Sequence, residues 1–260
     1  MISFKKRAKQ FKLIRNLYYF ILPLKCFIKI DFILYLRQII WFKKQYKLFN
    51  LLEQNENFKE IEYYPCLSDN VEYTPLDPVY FYQDTWASRK IFDLNPKHHY
   101  DIGSSAKTIG ILSQFVPITM VDIRPLPFEL EGLNFIKGSI LVLPFEDNSI
   151  ESISSLCVVE HIGLGRYGDE LDQFGSEKAI SELKRVCKRG GVILFSVPVD
   201  EENKIYFNAH RAFTKNYIMK MFYGFKLLEE KYQYGNALYK KYFPDKGLGT
   251  GLFMFKKEEI

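Results

Sequence analysis

Residues 100–110 read YDIGSSAKTIG. A short apolar run ends in Asp101 and Gly103, and a helix-prone run follows. A strand turning at a glycine into a helix is the opening unit of an α/β sheet. The chain on either side tests this. "HHYDIG" (98–103) predicts a strand and "KTIGILSQF" (107–115) a helix. "ITMVDI" (118–123), "NFIKGSI" (134–140) and "SIESISSLCVV" (149–159) predict three more strands. In "SEKAISELKRVCKRGG" (176–191), Ala179, Ile180, Leu183, Val186 and Cys187 fall on one helical face, with Ser176 as N-cap and Gly190-Gly191 as stop. "VILFSVPV" (192–199) is a near-continuous apolar run of the type covered on both faces. Residues 214–225 predict a helix capped by Thr214, and 226–234 and 250–257 two closing strands. The expected fold class is therefore α/β: a mostly parallel sheet with helices on both faces.

Ligands of such sheets bind beyond the carboxyl ends of the strands, so the strand-end residues carry the functional reading. Gly103 lets a ligand approach the backbone. Asp122 follows Asp101 by 21 positions, close to the spacing of about 20 residues at which dinucleotide folds place a ribose-binding acid. A full G-x-G-x-x-G is absent, which argues against a pyrophosphate cofactor such as NAD or FAD. S-adenosylmethionine has a ribose and no phosphate, and its ammonium suits Asp101. The plainer alternative makes Gly103 a tight turn and Asp101 a turn or cap residue.

"CVVEHIGLGRYGDELD" (157–172) carries Glu160 and His161 out of a strand into a loop with three glycines and Arg166. Arg166 suits a carboxylate or phosphate clamp, or a surface pair with Asp169 or Asp172. "NAHRAFT" (208–214) brings His210 and Arg211 to the same sheet edge. Imidazoles titrate near neutrality, so His161 and His210 are candidate general bases, with Glu160 beside them.

The net charge of +5 is uneven. Residues 1–50 hold twelve Lys or Arg and one acid, Asp31, for +11, which leaves −6 on the rest. An acidic body argues against a nucleic-acid face. In the basic arm, "NLYYFILPL" (16–24) is too short to span a bilayer, and no small-residue cleavage site follows it. Basic residues among Phe, Tyr, Leu, Ile and Trp suit either contact with an anionic membrane surface or helices packed on the body. Cys26, Cys66, Cys157 and Cys187 form no C-x-x-C pair, so neither a zinc site nor a disulfide framework is expected, in keeping with a cytoplasmic setting.

"YDIGSSAKTIG", "MVDIRPL", "KGSILVLPF", "SSLCVVEHIGLGRYGD" and "ELKRVCKRGGVILFSVPV" resemble successive motifs of the Rossmann-like S-adenosylmethionine-dependent methyltransferase superfamily. Within it, "YFYQDTWASRKI", "VDIRPL", "EHIGLGRYGD" and "FNAHRAF" resemble a domain-of-unknown-function family found in nematodes and in bacteria, often near surface-polysaccharide genes. The resemblance spans roughly residues 73–255 and leaves out the arm. It implies seven strands with the last antiparallel. It also implies that Asp101 and Gly103 meet the methionine part of the cofactor, and that Asp122 with its neighbour Ile123 meets the nucleoside. The same resemblance implies that Ser139 and Ile140 lie beside adenine and that Glu160 and His161 face the methyl group. Two residues depart from the family pattern: Ser105 stands at the second glycine, and Ser139 replaces an acid after Gly138.

The expected organisation is a basic arm (1–50), a connection (51–97) marked by Pro65, Pro75, Pro78 and Pro96, and a methyltransferase-like domain (98–260). The leading expectation is methyl transfer to a small molecule or glycan, with Arg166 and Arg211 binding the acceptor and no metal. A non-catalytic module that binds a partner or membrane is the alternative. A nucleotide-sugar enzyme ranks last, because no D-x-D occurs at the strand ends.

Overall fold

The computed structural model describes residues 32–58 and 60–259. The stretch 16–24 and Cys26 lie outside the described residues. The chain divides into two compact units, residues 1–75 and 76–260.

In the first unit, helix α1 (Phe32–Phe49) carries Phe42 and Tyr46, whose rings meet the Tyr63 ring edge-on at 4.9 and 5.2 Å. Trp41, Leu48 and Phe49 are exposed, and Arg37, Lys43, Lys44 and Lys47 share the helix with them. No described helix is long and apolar enough to cross a membrane.

The second unit opens with helix α2 (Pro78–Leu94), inside the stretch that the prolines mark as a connection. Pro78 is its first residue, a position that needs no N–H donor, and Asp77 caps it by accepting from Val79 N and Tyr80 N. Then come β1 (His99–Ile102), α3 (Ala106–Leu112), β2 (Ile118–Asp122), β3 (Leu133–Lys137) and β4 (Ile150–Leu156). A single 3-10 turn (Val159–His161) leads to α4 (Gly175–Val186) and β5 (Cys187–Val199). The hairpin β6 (Lys204–Tyr206) and β7 (His210–Ala212) precedes α5 (Lys215–Met221), β8 (Phe225–Tyr234), β9 (Ala237–Tyr239) and β10 (Gly249–Lys257).

The main sheet runs β3-β2-β1-β4-β5-β10-β8-β9. The first five strands in that order pair in parallel, and β10 runs antiparallel to both its neighbours. The expected strands are thus present with the last one antiparallel, and the three-residue β9 is an eighth at the edge.

The period-2 alternation of the strands builds a core on each face. On one face, Ile193, Phe195, Val197 and Val199 of β5 join Phe253 and Phe255 of β10 under Ala179, Ile180, Leu183 and Val186 of α4. On the other, Val192, Leu194 and Leu252 join Trp86 and Ile91 of α2 and Ile109 and Leu112 of α3. Trp86 Nε1 donates to Glu229 Oε1 at 2.9 Å, and Ser196 Oγ donates to the buried Gln83 Oε1 at 2.6 Å, which ties α2 to the sheet.

Two local expectations are corrected. Ser176 does not cap α4: the helix starts at Gly175 with no side-chain cap, and Ser176 Oγ donates to Val159 O at 2.6 Å. Nor do the paired glycines end it. The helix stops at Val186, and Cys187 already pairs with Ile150, so Gly190 (φ +73°) lies within the irregular start of β5. Thr214 does cap its helix, accepting from Tyr217 N at 3.3 Å.

Candidate functional site

The strand order reverses at β1, which has β2 on one side and β4 on the other. Beyond this switch point lies a cavity of about 100 Å³. Gly103, Asp122, Ile123, Ser139, Ile140 and His161 all line it. Six sequence candidates, carried by the ends of β1 to β4, therefore share one space. The other five do not line it.

Gly103 needs its φ of +73°, and a Cβ there would stand 3.0 Å from Val158 Cγ1. Its N–H is spent on Val121 O at 2.9 Å. Here glycine serves the turn and the packing of β1 on the end of β4. Asp122 presents its carboxylate to the cavity while Arg124 holds it from outside, with Nε and Nη2 each at 3.2 Å. Ser139 closes a turn, its Oγ accepting from Leu141 N at 3.2 Å.

Asp101 is fully buried behind the cavity. Ser104 N donates to Oδ1 at 3.0 Å and Ser154 Oγ to Oδ2 at 2.5 Å. His99 continues the chain, with Nε2 2.9 Å from Ser154 Oγ and Nδ1 2.8 Å from Ser152 Oγ. Burial pushes Asp101 up to about 6 despite these bonds, and pushes His99 down to about 3.

At the end of β4, Cys157 takes a left-handed conformation (φ +54°) that is uncommon for a residue with a side chain. It turns the chain so that His161 enters the cavity and Glu160 goes inward, where Glu160 is 1% exposed and its Oε2 has no partner. Burial raises Glu160 to about 8. Burial lowers His161 to about 4, helped by Arg166 and His210 and opposed by its bond to Ala209 O. Nε2 of His161 lies 3.7 Å from Glu160 Oε1. With the acid raised and the base lowered, both are neutral near pH 6, so this contact is not an ion pair. His161 Nδ1 lies 2.6 Å from Ala209 O, a carbonyl that can only accept. Nδ1 therefore carries the proton and Nε2 keeps a free lone pair.

Arg166 pairs with neither Asp169 nor Asp172. Its Nη1 donates to Ala209 O at 3.0 Å, and its guanidinium sits 5.2 Å from the centre of the Tyr167 ring. His210 lies on β7, its ring 5.0 Å from that of Tyr206, with its Nε2 buried and unpartnered. Arg211 is spent within the protein. Nη1 donates to Ile162 O at 2.5 Å and to Ser176 Oγ at 3.2 Å, and Nη2 donates to Asp172 O at 2.8 Å. It pins the glycine loop to β7.

The sequence candidates omit Arg124, Tyr167, Cys157 and Asp169, which also line the cavity. "VDIRPL" and "GRYGD" do contain three of them. What the sequence lacks is any sign that Arg124 turns back onto Asp122. No group of three or more His, Cys, Asp or Glu able to hold a metal occurs among the described residues.

A family model described as "Caenorhabditis protein of unknown function, DUF268" matches residues 144–237, from the turn before β4 to β9. Comparison with curated protein sequences gives no match. Among solved structures, a protein described as a candidate sarcosine dimethylglycine methyltransferase from Galdieria sulphuraria aligns at TM-score 0.52 and 15% identity, covering 68% of this chain and 85% of that one. The N-methyltransferase NodS from Bradyrhizobium japonicum, in complex with S-adenosylhomocysteine, aligns at 0.50 and 14%, covering 75% and 92%. The YcgJ protein from Bacillus subtilis aligns at 0.50 and 16%, covering 69% and 100%. At these identities the likeness is one of fold, and the chain has the Rossmann-like fold of the S-adenosylmethionine-dependent methyltransferases.

Proposed function

We propose that the chain transfers a methyl group from S-adenosylmethionine to a small-molecule or glycan acceptor. One observation carries the reading: Gly103, Asp122, Ile123, Ser139 and Ile140 share a cavity with His161 at the switch point of the sheet. The residues fit the cofactor. Asp122 can accept both protons of a ribose diol, and Ile123 and Ile140 offer apolar faces to a base. The sulfonium supplies a methyl group already activated for displacement. The protein's part is alignment and proton removal. His161 is placed for the second task, its Nδ1–H committed to Ala209 O and its Nε2 unprotonated at neutral pH, although a value lowered to about 4 makes it a weak base. The partly exposed ring of Tyr167 at the cavity suits a sugar or other flat acceptor, with Arg166 as a cation nearby. A role in surface-polysaccharide synthesis in the cytoplasm fits such an acceptor.

Isothermal titration with S-adenosylhomocysteine tests the cofactor reading. Binding by the full chain, weakened roughly tenfold or more in Asp122→Ala, supports it. No binding at millimolar ligand sinks it, and favours the alternative of a non-catalytic binding module. The small size of the cavity, about 100 Å³, is the observation on that alternative's side.

For the arm we infer contact with an anionic membrane surface. Exposed Trp41, Leu48 and Phe49 share α1 with four basic residues, and residues 1–50 carry +11. Co-sedimentation with anionic vesicles is expected for the full chain and lost without residues 1–50. Equal behaviour of the two removes the inference.

A further inference from the structure

The mouth of the cavity is narrowed by side chains of its own rim. Arg124 lies two residues beyond Asp122 and holds it three times, through Nε and Nη2 and through its backbone N–H at 2.8 Å from Oδ1. The carboxylate is 10% exposed and the Arg124 side chain 60%, so the carboxylate sits inside and the cation outside. The same guanidinium lies 4.8 Å from the centre of the Tyr167 ring. Tyr167 in turn stands edge-on to His161 at 5.5 Å. Arg124, Tyr167 and His161 thus bridge the mouth from the end of β2 to the end of β4.

The space beneath is too small for a nucleoside ligand. It measures about 100 Å³, whereas sites for ligands of that size start at roughly 300 Å³. The loop that carries Tyr167 is held tightly at its base and by longer backbone bonds at its tip, Tyr167 N to Asp169 Oδ1 at 3.3 Å and Gly168 N to Gly165 O at 3.4 Å. Gly163 N donates to Asp169 Oδ2 at 2.6 Å, Asp172 N to Gly163 O at 3.0 Å, and Arg211 holds Asp172 O. Arg166 and Tyr167 lie between Gly165 (φ +68°) and Gly168 (φ +81°). A Cβ at Gly168 would meet nothing within 4 Å, so only its backbone conformation calls for glycine. Such a pair of glycines lets the tip swing while the base stays fixed.

We propose that Arg124 and Tyr167 form a clasp that occupies the ribose position and opens when a ribose diol takes over the carboxylate of Asp122. The proposal rests on the cavity being the nucleoside site. Two hydroxyl donors of a diol match the two carboxylate oxygens that Nε and Nη2 now hold, so the ligand replaces what it displaces. An ion pair whose cation is 60% exposed yields to such competition more readily than a fully buried one. Opening still lowers the apparent affinity by the fraction of molecules that stand open, here expected to be about fivefold. The clasp makes the empty site a closed one, which admits ligands that bring a ribose and resists those that do not.

The test is isothermal titration of S-adenosylhomocysteine into the full chain, into Arg124→Gln and into Tyr167→Ala, at low and at high sodium chloride. Both variants are expected to bind roughly fivefold tighter than the wild type at low salt. Salt screens the Arg124–Asp122 pair, so the wild-type affinity is expected to rise with salt while that of Arg124→Gln stays level. Equal affinity in all three proteins, with no salt response, overturns the clasp and leaves the cofactor site standing. Weaker binding by Arg124→Gln also overturns it, and makes Arg124 a ligand contact. No binding by any of the three overturns the cofactor reading, and the clasp with it.

Discussion

Nε2 of His161 lies 3.7 Å from Oε1 of Glu160, and burial moves the two groups in opposite directions, the acid up to about 8 and the imidazole down to about 4. Each is kept neutral by its own burial. A charge on either would face a buried neighbour with no hydrogen bond to offer it at this distance.

The first prediction follows from the sign of the Glu160 shift. A carboxyl raised when folded contributes stability that is fully present below its ordinary range and lost as pH rises through about 8. Glu160→Gln keeps the shape and removes the ionisation. The melting temperature of the wild type is expected to fall relative to the variant as pH rises across that window. Parallel curves would show that Glu160 is not held neutral. In turnover, His161 stays unprotonated down to about pH 4, so no acid limb is expected near the ordinary imidazole value. His161→Ala is expected to slow turnover at every pH above that.

Arg211 predicts a purely structural loss. Its guanidinium reaches Ile162 O, Ser176 Oγ and Asp172 O; Arg211 itself does not line the cavity and touches its wall only through the Ile162 backbone. Arg211→Ala strands buried acceptors and is expected to cost about 3 kcal/mol in urea denaturation. Arg211→Lys is expected to recover less than half of that, because one ammonium cannot span the fork. Full recovery by lysine would mean that charge alone matters there.

The sheet was legible because burial on both faces writes itself into β5 and β10 as unbroken apolar runs, and the polar strand ends mark where those runs stop. Asp122 stands out because it ends the apolar run of β2, and His161 because it follows the apolar residues Val158 and Val159 in the turn beyond β4. Helix α2 was hidden behind Pro78 and Pro96, which read as breakers, although Pro78 starts the helix and only Trp86, Ala87 and Ile91 among its apolar residues reach the core. Partner choice left no trace in the sequence. Asp101 and Asp122 are both acids at strand ends, yet Ser154 and Ser104 take the first inward and Arg124 meets the second outside. Arg211 and Arg166 differ in the same way, by which carbonyls the folded loop brings to them.

Asp101 leads to a prediction about His99. Ser154 Oγ donates to Asp101 Oδ2, so it must accept from Nε2–H of His99, whose Nδ1 then accepts from Ser152. Protonation of Asp101 at Oδ2 reverses every bond in that chain and moves the His99 proton to Nδ1. Nitrogen chemical shifts of His99 are expected to show the Nε2–H form above about pH 6 and the Nδ1–H form below it. In Asp101→Asn the amide donates to Ser154, so the Nδ1–H form is expected throughout. A single tautomer in the wild type at all pH values would break the link. Stability carries the same sign as for Glu160: the raised carboxyl favours the folded state below its ordinary range, and that gain is lost as pH rises through about 6.

Gly103 separates two reasons for a glycine. Its φ of +73° strains any residue with a Cβ, and that Cβ would stand 3.0 Å from Val158 Cγ1. Gly103→Ala is therefore expected to lose about 1–2 kcal/mol to backbone strain, plus a smaller steric part. Val158→Ala removes the methyl that causes the steric part and leaves φ untouched. In a double-mutant cycle the cost of Gly103→Ala is expected to shrink in the Val158→Ala background without vanishing. Complete relief would make packing on β4 the whole reason for the glycine. No relief would make the backbone turn the whole reason, and would free the space beside Val158 for a ligand atom instead.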